Sequence, residues 1–523
     1  MAEVNKNIEN IYALSPMQEG ILFHSLLNPG SGEYVLQTIY DLKYELDMSI
    51  VKNSLSLLFA RFSILRTSFV YENLKKPKQV VLKVRQPEVN CIDLSDSSDF
   101  DEKYKEIVHK DIIRGFDFKN DPLLRVTYVK IGESAYKFIL TTHHIIIDGW
   151  GLGIVFEKFY EYYERLFNGE TYENIIKEID NEKSTFPEYG EYIKWLTKQD
   201  QNKALLYWQD LLEGYNNVCD IPCCYYPEAT EENVGCKEIE INENIVIKLK
   251  NIAENNSITL NCIAETAVGV MLQNYNGSND VVFGKVVSGR NAPIYGIEDM
   301  LGLFINTIPI RFRTESDTSV ISLLKAQQEQ GSESLNYDYC SLGDIMNATS
   351  VGSDLIKVIF AFENFSSGNE SKNDRSDESG LLIDSSREQT NFGISISAFE
   401  RKDKLVFRVM YSPEKYGIKD VDAILQRLNK ICSEIAEKSE KKFSAIEAVI
   451  DEEKSLIIND FNATEAEYPR DKTTAELFEE QAAKAPEKIC YVCSGRSITY
   501  GELNKRANEI AYKLRELGVK ANE

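Results

Sequence analysis

The stretch Tyr136 to Phe167, YKFILTTHHIIIDGWGLGIVFEKFYEYYERLF, limits the fold more than any other part of the chain. Tyr136 to Thr142 is rich in aromatic, aliphatic and β-branched residues with no breaker, which predicts a strand. Further on, Phe156, Phe159, Tyr160, Tyr163 and Phe167 recur every three or four residues, which predicts a helix with one apolar face. The turn between them carries His143, His144, Asp148 and Gly149, so two of the four histidines in the chain are adjacent at a strand-to-helix junction. Such a junction holds side chains at a sheet edge, where they can face a cleft. An imidazole exchanges protons near neutral pH. The second imidazole can anchor the backbone. Asp148 can cap the helix or hold an arginine. A lone histidine is more often structural, but this grouping points to chemistry.

A chain of 523 residues with 43% hydrophobic residues predicts two or three domains with substantial cores. The net charge of −24 argues against a nucleic-acid backbone or an anionic membrane as partner. The N-terminus lacks a signal-peptide core and no apolar run reaches membrane-spanning length, so the reading is cytoplasmic. Of the ten cysteines, Cys219, Cys223, Cys224 and Cys236 are loosely clustered without paired knuckles or a nearby histidine, so no metal site is expected. That cluster reads as reduced structural thiols, and Cys490 and Cys493 form a C-x-x-C pair in a strand-like run, which argues against a redox role.

From the N-terminus, Ser15 caps a helix with Pro16 in its first turn and Gln18 completing a capping box. That helix ends at Asn28-Pro29-Gly30, and Tyr34 to Leu46 reads as a strand. Ser54 to Val70 passes from helix to strand, with Arg61 and Arg66 expected in structural ion pairs. After Asn168-Gly169-Glu170 an acidic stretch to about Lys183 reads as a linker, and Tyr189 to Leu212 as an aromatic helical hairpin. A second α/β unit comes next: a helix over Leu260 to Tyr275, a strand over Asp280 to Val287 ending in Ser288-Gly289-Arg290, the segment Leu301 to Arg313, and a buried strand over Ser353 to Phe365. The polar run 366–380 reads as a mobile loop. Two more strands and a helix over Asp420 to Lys438 are expected to close this lobe. Near the C-terminus, Leu503, Ala507, Ile510, Leu514 and Leu517 mark an amphipathic helix stopped by Gly518.

The run His143-His144-Ile145-Ile146-Ile147-Asp148-Gly149 matches the His-His-x-x-x-Asp-Gly motif of condensation domains of nonribosomal peptide synthetases, relatives of chloramphenicol acetyltransferase. Other family marks occur in order. Ser15 to Gly20 resembles the opening motif. Arg61-Phe62-Ser63-Ile64-Leu65-Arg66-Thr67 resembles the second motif, with Phe62 where a histidine is usual, which leaves that position no catalytic role. Leu301 to Thr307 resembles Gly-x-Phe-Val-Asn-Thr, with Ile305 for valine and Asn306 expected near the cleft. Phe461-Asn462-Ala463-Thr464 with Tyr468-Pro469 resembles the linker to an adenylation domain, and the run TTAELFEEQAAKAPEKI with ITYGELNKRANEIAYKLRELG resembles that domain's start. No phosphate loop or carrier site is present, so the chain reads as a fragment of a longer synthetase.

The resemblance implies an α/β (α+β) fold of two chloramphenicol-acetyltransferase-like lobes in a V with a tunnel between them. The expected divisions are 1–175 and 176–450 for the lobes, 451–471 for the linker and 472–523 for the truncated adenylation domain. It implies amide formation between a donor aminoacyl or peptidyl thioester and the amine of an acceptor aminoacyl thioester. Both substrates arrive on the phosphopantetheine of carrier domains, with no cofactor bound by the chain itself. His144 is the expected base or positioning group, His143 holds the loop, Asp148 pairs with Arg290 of the second lobe, and the Gly149 amide is placed to help an oxyanion. The implied partners are donor and acceptor carrier domains and the downstream adenylation domain, with the chain a monomer.

Rival readings are an epimerization domain, disfavoured by the adenylation-like tail, and a non-catalytic carrier-recruiting module, which usually loses the second histidine. His143 excludes a heterocyclization domain, where an aspartate is expected, and the tail also disfavours a free-standing coenzyme A acyltransferase. SPMQEGILFH together with HHIIIDGWG resembles the subgroup that takes a donor ending in a D-residue. The chain begins almost at the condensation domain, so the donor carrier is expected on a separate upstream protein.

Overall fold

The computed structural model describes residues 7–520 except 43, 98, 133–134, 183–185, 225–233, 364–380, 388–389 and 391; for 381–386 it describes the backbone. The polar run at 366–380, read as mobile, lies outside the described residues, as does Lys183. Two compact units are formed, Met1–Ile450 and Asp451–Glu523.

The first unit is built on two large sheets. One has five strands in the order Leu381–Arg387, Val35–Leu42, Tyr136–His143, Leu124–Lys130, Glu88–Asp93. Val35–Leu42 and Tyr136–His143 are buried along almost their whole length, as strands covered on both faces must be. They pair antiparallel, with Val35 opposite His143. The histidine turn therefore emerges from the sheet's interior. Three strands follow the polar run: Ile394–Arg401 and Lys404–Tyr411 join the second lobe's sheet, as expected, and the additional one, Leu381–Arg387, is outermost here and pairs with Val35–Leu42. A backbone row left open at that edge would be a site for unwanted pairing, and a segment from far along the chain covers it.

The other large sheet has six strands, in the order Asn306–Arg313, Asp280–Val287, Val358–Glu363, Ile394–Arg401, Lys404–Tyr411, Gly235–Glu240. Side chains alternate across it. Val281 and Phe283 enter a core with the helices Glu243–Asn256, Leu260–Asn276 and Ile418–Lys438, whereas Val282 faces a second core around Trp208 and Tyr215. A three-stranded sheet orders Ile8–Ala13, Lys78–Leu82 and Thr67–Val70.

Two local expectations need correction. Residues 172–182 form a helix, Tyr172–Glu182, where the sequence reads as linker; Ile175 and Ile179, four apart, are buried on one face. Helix Gly149–Phe167 buries Val155, Phe159, Tyr162 and Tyr163, whereas Phe167 is exposed. Of the expected stripe, Phe159 and Tyr163 are buried and Phe156 and Tyr160 pack against the same core, with helix Met48–Arg61 alongside; Phe167 alone departs from it.

The second unit begins with a helical turn, Asp451–Ser455, continuing over Leu456–Asp460 inside the expected linker. It then carries helix Thr474–Lys484, a hairpin of Ile489–Cys493 with Arg496–Thr499, and helix Tyr500–Glu516. Leu503 is half-buried, while Ala507, Ile510, Leu514 and Leu517 are exposed. Cys490 is half-buried and Cys493 exposed, and both are free thiols.

Candidate active site

The strand Tyr136–His143 ends in a short 3₁₀ turn, His144–Ile146, and Asp148 caps the following helix. This local shape comes from the sequence: β-branched residues run up to the turn, and a carboxylate stands just before the first glycine of the helix. The main-chain N–H of His143 donates to Leu123 O and that of His144 to Tyr34 O, fixing the turn from both sides. Tyr34 takes a positive φ of 61° to present that carbonyl, an unusual conformation for a bulky residue.

The two imidazoles have different tasks. Nδ1 of His144 lies 3.0 Å from Ile147 O. A carbonyl only accepts, so Nδ1 carries a hydrogen, and in the neutral ring the lone pair sits on Nε2. Nδ1 of His143 instead accepts from the Ile145 N–H at 3.2 Å, and its Nε2 lies 3.4 Å from Ser25 Oγ. Phe116 and Phe118 meet the His143 ring edge to face. Burial, then the neighbouring His144 and Arg125, pushes its pKa down to about 3, so it stays neutral. His143 is a strut.

Asp148 is fully committed as an acceptor. Oδ1 takes the Gly151 N–H at 2.8 Å and Arg290 Nη2 at 3.3 Å, and Oδ2 takes the Phe304 N–H at 3.1 Å. The expected pairing of Asp148 with Arg290 is therefore present in the structure, and both side chains are buried. Arg290 also donates to Ile297 O and Met300 O and stacks 4.1 Å over the Phe304 ring. Burial lowers the Arg290 pKa and Asp148 works against that shift. This pair joins the histidine turn to the Leu301–Arg313 segment. Gly289 permits the approach: its φ is +63° and a Cβ there would lie 1.9 Å from Phe304 O.

Gln18, wholly buried, reaches the same turn from the first helix. Its Nε2 donates to Ile145 O at 2.9 Å, while its Oε1 accepts from Ser15 N–H at 3.0 Å and Gln79 Nε2 at 3.1 Å. Ser15 Oγ accepts the Gln18 N–H, completing the capping box. Gln79 escaped the sequence reading, although a polar residue on the inward side of KQVVL is a signal for it.

The remaining residues lie in supporting positions. Asn306 Nδ2 donates to Asp338 O and Cys340 O, so its side chain pins the 338–340 segment. Arg61 pairs with Glu182 at 2.6 Å and lies over the Phe186 ring. Arg66 pairs with Glu9 at 2.9 Å and donates to the carbonyls of Phe59, Ala60 and Leu82. Both arginines are in structural ion pairs. Gly149 opens its helix at the surface, where first-turn N–H groups have no intrahelical acceptor. Among the described residues no cluster of three or more His, Cys, Asp or Glu is placed to hold a metal.

Two α/β lobes joined through a buried histidine turn are the plan of a chloramphenicol-acetyltransferase-like protein, and the comparisons narrow the class. Residues 8–458 match the condensation domain family and residues 478–523 match the AMP-binding enzyme family. The chain belongs to the condensation domains of nonribosomal peptide synthetases, whose family reaction is peptide-bond formation.

Bacitracin synthase 1 of Bacillus licheniformis is 34% identical over 520 residues, covering 98% of this chain and 10% of that protein. Tyrocidine synthase 3 of Brevibacillus parabrevis is 34% identical over 98% of this chain and 8% of its own length. The chain thus spans no more than about a tenth of these two relatives. A solved four-domain nonribosomal peptide synthetase bound to AMP and glycine aligns with a TM-score of 0.72 at 18% identity, covering 98% of this chain and 39% of that one. The first condensation domain of the calcium-dependent antibiotic synthetase, with a substrate analogue, gives 0.62 at 16% identity, covering 84% of this chain and 99% of its own.

Proposed function

We propose that His144 promotes amide formation between a donor thioester and an acceptor amine, each held on the phosphopantetheine of a carrier domain. The observation that carries this reading is the Nδ1 contact with Ile147 O, which leaves Nε2 as the basic nitrogen of a ring lodged in a buried turn. The acceptor nitrogen attacks the thioester carbonyl and Nε2 receives the proton it sheds. The C–N bond forms, the C–S bond breaks, and the pantetheine sulfur leaves, taking a proton back as the thiol. Direct attack is favoured: Ser25 Oγ lies near Nε2 of His143, but Nδ1 of that ring accepts the Ile145 N–H, so Nε2 carries the hydrogen and cannot take the serine's proton. Base catalysis is worth roughly 10²–10⁴-fold. In this reading the first-turn N–H groups at Gly149 stabilise the tetrahedral oxygen. Asp148 and His143 hold the turn without touching substrate.

The tunnel between the lobes supplies the two substrates from opposite mouths. The carrier domains and the adenylation domain are the partners, the chain works as a monomer, and it binds no cofactor of its own. Ten free cysteines and the lack of a described helix long and apolar enough to cross a membrane fit a reaction run in the cytoplasm. The deciding experiment incubates two loaded carrier proteins with the chain and detects the dipeptidyl product by mass spectrometry. His144→Ala is expected to lose most product with little change in melting temperature; full activity in that variant overturns the mechanism. Conversion of a donor from one configuration to the other without amide formation would instead mark an epimerization domain. The opening and histidine motifs support a preference for a donor ending in a D-residue, and equal turnover of L- and D-terminated donors would remove it.

A further inference from the structure

We infer that Gln18 is a positioning residue for the reaction, acting through the Ile145 carbonyl to set the tautomer and direction of the His144 ring. The inference rests on the proposed role of His144. Its basis is a chain of hydrogen bonds in which every atom has one permitted direction. Ile145 O can only accept, so the group 2.9 Å away must be the amide nitrogen of Gln18. The opposite end is fixed independently: Oε1 accepts from the Ser15 main-chain N–H and from Gln79 Nε2, and Gln79 Nε2 also donates to Ala13 O at 2.7 Å. A flipped amide would face Ile145 O with an oxygen and the Ser15 N–H with a donor, so it is disfavoured at both ends.

The clamp grips the middle of the 3₁₀ turn His144–Ile146. That turn is closed by the Ile147 N–H donating to His144 O, and Ile147 O is the atom that holds Nδ1–H. Gln18 and His144 therefore grip neighbouring carbonyls of one short segment. Moving the first displaces the second. Both Gln18 and Gln79 are essentially inaccessible, so water does not substitute for the lost donor without rearrangement. Displacement on the order of 1 Å at a reacting group can cost about 100-fold in rate.

The test uses the whole chain with two loaded carriers. The imidazole tautomers are read by long-range ¹H–¹⁵N correlation, with His144→Ala assigning the signal among the four histidines. The wild-type His144 is expected in the Nδ1–H form. Gln18→Met is expected to lower kcat about 10- to 100-fold, leave KM for both substrates nearly unchanged, and convert the His144 signal to mixed tautomers. Gln18→Glu adds a conditional rescue. Its ionised carboxylate repels Ile145 O, whereas the protonated acid can donate to it, so the ratio of variant to wild-type kcat should rise as pH falls through that carboxyl's titration.

Gln273→Leu, also buried but bonded to Asn279 O and Phe312 O away from the clamp, controls for loss of stability and should leave the His144 tautomer as in the wild type. The inference is overturned if Gln18→Met leaves kcat or the tautomer unchanged, or if Gln273→Leu reproduces both effects. Full activity of His144→Ala would strike the proposed function itself; the tautomer readout separates the two failures.

Discussion

Two buried titratable residues in the first unit pull its stability in opposite directions with pH. Burial pushes the Asp338 carboxyl up to about 6 from 3.8, against the single Asn291 amide that donates to it. Between those values the folded state binds more protons than the unfolded one, so stability falls as pH rises from about 3.8 to about 6. His143 does the reverse. Its pKa drops from 6.5 to about 3, so the unfolded state binds more protons in that window and stability falls as pH is lowered. Each slope approaches about 1.4 kcal/mol per pH unit, and in the wild type they offset one another.

Chemical denaturation across pH should therefore show Asp338→Asn more stable than wild type at neutral pH, with the gain vanishing below about pH 4. His143→Gln should flatten the acid-side loss, although its neutral-pH stability falls with the lost packing against Phe116 and Phe118. Coincident pH curves for wild type and both variants would refute this. At this scale the chemistry-bearing residues are legible in the sequence, because the histidine pair, the capping aspartate and Arg290 belong to a readable motif. Gln79 and Asp338 are not, since their surroundings are assembled from distant segments.

At the scale of elements, Asp148 and Arg290 act as a bolt between a helix N-terminus of one lobe and the loop before Leu301–Arg313 of the other. Asp148→Asn or Arg290→Gln leaves the partner's charge buried, and the expected loss is roughly 3–5 kcal/mol in unfolding measurements. No change in either variant would show that the contact is incidental. Gly289→Ala tests the same junction from the backbone, since the new methyl must displace Phe304, whose N–H serves Asp148; a clear fall in melting temperature is expected. Most helices and strands are legible from periodicity and capping residues. Tyr172–Glu182 is not, because its acidic composition masks the Ile175–Ile179 spacing. The burial face of Gly149–Phe167 is legible except at its end, where Phe167 continues the aromatic spacing but lies exposed.

At the scale of the whole molecule, the two sheets are not separable by cutting the chain once. Residues 1–175 lack the strand that borders Val35–Leu42 and break helix Tyr172–Glu182 midway. Expressed alone they should aggregate, and co-expression with residues 176–450 should recover a soluble complex; a stable monomeric 1–175 would contradict the pairing. No local sequence signal announces a strand that crosses between sheets, since its partner is set by topology and not by its own residues. The same crossing shapes how the polypeptide is made. The outer edge of Val35–Leu42 leaves the ribosome roughly 340 residues before the strand that covers it is translated. At about 5–20 residues per second, that hydrogen-bonding row stands bare for tens of seconds in every nascent copy. Crowding of neighbouring ribosomes on one message is thus a hazard built into the order of synthesis.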